Sequence, residues 1–189
     1  ARPGVRPAAA PPPAARGVTT YRASPAVSAR VKQQFAAFAA KQGGGTQVAA
    51  DLKRIDPVKV WSDVVRAEGL RPGDTVDAFT AYWLLNWMIA NQSMGGNSSA
   101  AAAVKAQVRP SMQSNPAFAR LSEAQRQELA EGLMLNFLYQ HKVYDDAVRR
   151  NDGAMKAKLA NAAAARFRNE FQIDLKRLQL TDRGFVSRG

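Results

Sequence analysis

Apolar positions along this chain recur at spacings of three and four, the helical period, and alternating strand patterns are absent. The densest run is Ala78 to Asn91, AFTAYWLLNWMIAN. Val76, Phe79, Thr80, Trp83, Trp87 and Ala90 share one face; Ala78, Tyr82, Leu85 and Ile89 fill a second; Leu84 and Met88 lie on a third. A helix that is apolar on every side is either buried or membrane-spanning. Crossing a bilayer takes about 20 apolar residues, so this run is too short, and Asn86 interrupts it. The pattern predicts a central helix wrapped by others. Asp74, Thr75 and Asp77 suit its N-terminus, and Gly95-Gly96 reads as its stop.

The flanking pattern fills in the wrapping. Ser24-Pro25 opens a helix whose Val27, Val31, Phe35 and Phe38 share a face up to Gln42. Gly43-Gly44-Gly45 breaks it, and Thr46 caps a short helix to Ile55 with Leu52 and Ile55 inward. Asp56-Pro57 opens another, in which Val60, Trp61, Val64 and Val65 pack and Glu68-Gly69 ends the run. After a cap at Asn97-Ser98-Ser99, Ala100 to Met112 reads as a helix that Pro110 kinks or shortens. Ser122 and Gln125 form a capping-box signature, opening a long helix striped by Leu129, Leu133, Phe137, Gln140 and Tyr144, with Val148 flanking. The last helix places Met155, Leu159, Ala163, Phe167, Phe171 and Leu175 four apart. Leu178, Leu180 and Phe185 follow as an apolar tail tied to the core. The expected fold is all-α: one bundle of six to seven helices over residues 19–189, preceded by an arm over residues 1–18.

Composition alters this picture at the ends. The arm, ARPGVRPAAAPPPAARGV, is rich in proline and basic through Arg2, Arg6 and Arg16, as a linker or a partner-contacting segment would be. Net charge is +12, unevenly placed. Residues 1–54 hold nine Lys/Arg against one acid, residues 55–149 nine against ten, and residues 150–189 nine against four. Basic ends call for an acidic partner. The positions expected to meet it are Arg2, Arg6, Arg16, Arg22, Arg166, Arg168, Lys176 and Arg177. A protein assembly or an acidic envelope component fits best, then an anionic membrane surface; nucleic acid ranks below, because no helix-turn-helix, zinc finger or stacking-aromatic signature accompanies the charge. The proline-rich start, with Ala rather than Met first, sets the expectation of a periplasmic or secreted protein whose signal peptide has been removed.

Candidate chemistry is sparse. Cysteine is absent and His141 is the single histidine, so neither a thiolate nor a multi-histidine metal site can be built, and no motif implies a cofactor. His141 and Asp145 lie one turn apart, a spacing that lets a carboxylate orient an imidazole. Glu131 sits at an apolar margin and is the better placed of the carboxyls around Gln125, Arg126, Gln127 and Glu128, which read as a solvated face. Each has a competing structural reading: a surface histidine near acids for His141, and a salt bridge to a neighbouring helix for Glu131. Asn86 and Asn136 lie among apolar neighbours in two similar strings, WLLNWMIANQ and LMLNFLYQHK, and are expected to fix packing register as a polar core.

Three strings, TTYRASPAVSARV, AYWLLNWMIAN and LQLTDRGF, resemble a bacterial family known only as a domain of unknown function, over roughly residues 19–186. The resemblance implies a compact helical domain, exported from the cytoplasm, and transfers no catalytic residue. The leading expectation is a non-enzymatic accessory protein that docks through its basic ends. The alternatives are a hydrolase using Glu131 or His141 in a helical cleft, and a nucleic-acid binder.

Overall fold

A computed structural model describes residues 18–41, 45–93 and 98–188. Among them run eight α-helices: α1 Pro25–Lys41, α2 Gly45–Arg54, α3 Pro57–Val65, α4 Thr75–Asn91, α5 Ser98–Ser114, α6 Pro116–Ala119, α7 Glu123–Arg149 and α8 Gly153–Phe171. A tighter turn of helix, Arg66–Glu68, extends α3. Another, Leu175–Arg177, leads into an antiparallel hairpin, β1 Leu178–Thr181 and β2 Gly184–Ser187. The fold is all-α apart from this hairpin, which stands where the sequence shows only an apolar tail. The arm with Arg2, Arg6 and Arg16, the break at Gly43-Gly44, the Gly95-Gly96 stop and Asn97 lie outside the described residues.

Helix α4 is the post of the bundle, and α5, α7 and α8 pack around it. Burial extends over all its faces, from Val76 and Ala78 through Leu85 to Ile89. Each apolar side chain taken from water stabilises the fold by roughly 1.5–3 kcal/mol. Asp74 is the N-cap, its carboxylate accepting from Val76 N at 3.0 Å. Asp77 is buried and pairs with Lys105 of α5 at 2.6 Å, while its other oxygen accepts from Arg71 N. The helix stops before the glycines. Gln92 takes a left-handed conformation (φ 48°), its N–H bonds Ile89 O, and Ser93 N bonds Met88 O at 3.0 Å. This is a Schellman cap closed by glutamine instead of glycine.

The main core draws Trp61, Leu70, Met134, Phe167, Leu175 and Phe185 onto α4. A smaller cluster of Val27, Val31, Leu52 and Leu135 joins α1 and α2 to α7. Pro110 sits within α5 without ending it. Several side chains with inward-reading positions are exposed: Phe38, Ile55, Val60, Val64, Leu129, Val148 and Met155. At 1.5 Å per residue, α7 is about 40 Å long and α4 only about 25 Å; Thr75 Oγ1 meets Arg126 O at one end, so the far end of α7, with Val148, overhangs the post. Helices α1 and α3 lie at the periphery, and their stripes are wider than the surfaces that meet them.

Candidate functional surface

The N-terminal segment Thr19–Ser24 is threaded between helices that lie far away in sequence. Thr20 bridges Asp74, Tyr21 N bonds Gly73 O, and Thr75 N bonds Thr19 O. Arg109 of α5 clamps the entry, donating to Thr19 Oγ1 at 3.1 Å and to Asp74 Oδ2 at 2.7 Å. Arg126 of α7 donates to Thr20 O at 2.9 Å. Gln127 then brackets Ser24: its Oε1 accepts from Ser24 N, and its Nε2 donates to Ser24 O, Ser28 Oγ and Glu131 Oε1. Gln127 has no solvent exposure, so the stretch that reads as a solvated face is in part interior. Burial pushes the Tyr21 hydroxyl up to about 12; the N–H of Gly73 opposes this, while the charges of Glu131 and Asp74 add to it.

Glu131 is buried within the same clamp. Its Oε1 accepts from Ser28 Oγ at 2.9 Å and from Gln127 Nε2 at 2.8 Å. Among the described residues, neutral donors stand in place of the expected salt bridge. Glu128, one position from Gln127, accepts from Gln34 Nε2 at 2.9 Å and Arg30 at 3.2 Å, and these bonds hold its carboxyl below the usual range, the Gln34 bond most.

His141 lies ten residues from Glu131 on α7, about 15 Å along the axis, so the two are apart. The His141 ring stacks on Phe137, with centroids 5.8 Å apart and planes 12° apart. Asp145 turns the other way, to Arg149 Nε at 3.1 Å. Among the described residues no hydrogen bond joins His141 to Asp145, and no group of three or more His, Asp or Glu side chains could hold a metal ion.

The two asparagines differ. Asn86 is fully buried; its Nδ2 donates to Tyr82 O and its Oδ1 accepts from Arg166 Nη1 of α8 at 2.8 Å. Asn136 donates to Gly132 O of its own helix, and makes no bond to a second one among the described residues. Arg166 thus lies half-buried against the core rather than on a free surface.

The other basic positions stand outside. Arg22 is exposed. Arg168 reaches Asp174 at 3.5 Å, and Asp174 also caps the turn beneath it by accepting from Lys176 N. Lys176, Arg177, Arg183 and Arg188 are exposed around the hairpin. The hairpin register sets Arg188 beside Arg177, with Arg188 N bonding Arg177 O at 2.7 Å, and puts Arg183 in the turn at the other end of the strands. The hairpin is fastened by Trp87 Nε1 to Leu178 O at 3.0 Å and Asn91 Nδ2 to Leu175 O at 3.1 Å. Phe185 packs on Trp83, with ring centroids 4.8 Å apart, and Gln107 of α5 pairs with both its N–H and its carbonyl. Gln107 and Arg109 are two residues apart on α5, about 200° around its axis, so the hairpin and the Thr19 segment are held on different sides of one helix.

Residues 2–188 match a family of unknown function (DUF6683), and the chain belongs to that family. No curated protein and no solved structure matches it. No helix among the described residues is long and apolar enough to cross a membrane.

Proposed function

We propose that this member of a family of unknown function is a non-enzymatic binding protein, whose basic ends and arm contact an acidic partner outside the cytoplasm. The observation that supports this is the exposed set Lys176, Arg177, Arg183 and Arg188 around the hairpin, which Gln107 holds to α5. The partner is a protein assembly or an acidic envelope component. The extracytoplasmic setting rests on the proline- and alanine-rich composition of the arm.

A hydrolase reading has less behind it. Glu131 is engaged by Ser28 and Gln127, and His141 is stacked on Phe137 well along the helix. A two-carboxyl or acid–base mechanism needs its partners around one cleft.

The test is association of the full chain with native envelope fractions. Binding is expected to fall steeply between low and physiological salt. Deleting residues 1–18, or Arg177→Glu with Arg183→Glu, should each weaken it about tenfold or more. Association that ignores salt and both changes would overturn the reading.

A further inference from the structure

A second feature stands apart from the basic surface. Between α3, its extension, α4, α5 and α7 lies a cavity of about 210 Å³, walled by Val65, Leu85, Met88 and Phe137 among other apolar side chains. Two polar side chains border it, Glu68 and His141. Glu68 belongs to the tight turn after α3, which packs on α5. Its Oε2 is buried and, among the described residues, has no hydrogen-bond partner. The neighbouring cation Arg66 is directed to Asp63 at 2.6 Å. His141 is exposed and lies flat on Phe137, so it borders the cavity from the solvent side.

An unpaired buried oxygen is unfavourable, and the few such atoms in a native fold call for an explanation. The carboxyl that carries this oxygen belongs to Glu68, which lines an apolar space of ligand size. A dry cavity of about 150 Å³ takes up benzene, so this one has room for a ring or a short alkyl chain carrying a polar head. Glu68 can only accept when ionised, and an ammonium donates several hydrogen bonds and brings the opposite charge. We infer that the cavity is a binding site for a small apolar amine, its hydrocarbon body among Leu85, Met88 and Phe137 and its nitrogen at the Glu68 carboxyl. An acid of the same shape would place like charges together in a desolvated site, and is excluded by the same carboxyl.

The experiment uses the full chain, labelled with ¹⁵N, and two probes of equal shape, n-hexylamine and hexanoate. The amine should shift the amide signals of Leu85, Ala101 and Phe137 in a saturable way, at least tenfold more tightly than hexanoate. Glu68→Gln keeps the shape and should abolish that preference. Equal binding of the two probes, unchanged amine binding by the variant, or amine shifts confined to Arg177 and Arg183 would overturn the assignment. The comparison of probes on the native chain decides the matter alone should the variant not fold.

Discussion

Arg166 of α8 donates to Oδ1 of Asn86 at 2.8 Å, joining a half-buried guanidinium to a fully buried amide at the middle of α4. The bond fixes how α8 sits against the post. Arg166→Met would leave the Asn86 oxygen unpaired, and a lost bond to a charged group costs about 1.5–3 kcal/mol. Asn86→Leu should itself destabilise the chain. Combining the two should recover about 1 kcal/mol or more relative to their sum. Urea unfolding of the four proteins measures this, and strict additivity would mean the contact contributes nothing of its own.

Tyr21 makes stability sensitive to alkali. Its hydroxyl ordinarily titrates near 10.0, and burial raises this to about 12 in the folded chain. The folded state therefore holds the proton where the unfolded state has released it. The contribution is complete below about pH 10 and is lost as pH rises toward about 12, by roughly 1.4 kcal/mol for each pH unit crossed between the two values. Tyr82 and Tyr144 are raised in the same direction, chiefly by burial, and steepen the loss. Tyr21→Phe should cost about 1 kcal/mol near neutrality, through the lost Gly73 bond, and should flatten the alkaline decline. Unfolding midpoints at neutral and alkaline pH decide this; a decline as steep as the native one would count against Tyr21.

Gly184 should be intolerant of any side chain. It begins β2 at φ 93°, and a Cβ there would collide with the Gln107 amide. That amide holds Phe185 by both its backbone groups, at 2.9 Å each. Gly184→Ala is expected to cost about 2 kcal/mol or more, from backbone strain together with displacement of Gln107. The near-ultraviolet circular dichroism of Trp83 and Trp87 should change with it. An unaltered spectrum and melting point would show that the hairpin does not depend on this clasp.

The post itself is legible in the sequence because a run apolar on every face has few places to go. The capping box at Ser122 and Gln125 is legible because its signal is local, and both of its bonds form. What escapes is polar burial. Nothing near Gln127 marks it as interior; its partners Ser24 and Ser28 lie about a hundred residues away. Glu131 reads as the partner of a cation because buried carboxyls commonly are, and a hydroxyl and an amide supply the donors instead. Gln92 ends α4 in a conformation that glutamine does not advertise. The hairpin leaves no pattern because its strands are four residues each, too short for alternation to register. At the basic surface, charge alone is enough to name Arg177 and Lys176. Arg166 carries the same charge, and nothing local reveals that its guanidinium turns inward to Asn86.

The threading of Thr19–Ser24 dictates an order of events during synthesis. The groups that hold this stretch reside on Gly73, Asp74, Arg109, Arg126 and Gln127, so its last bonds wait until most of the chain has left the ribosome. A nascent chain carrying α1 to α4 would have the post but not the walls around Tyr21. Pairings across about a hundred residues also raise contact order, which slows folding. The first part of the domain to be made is thus among the last to be locked.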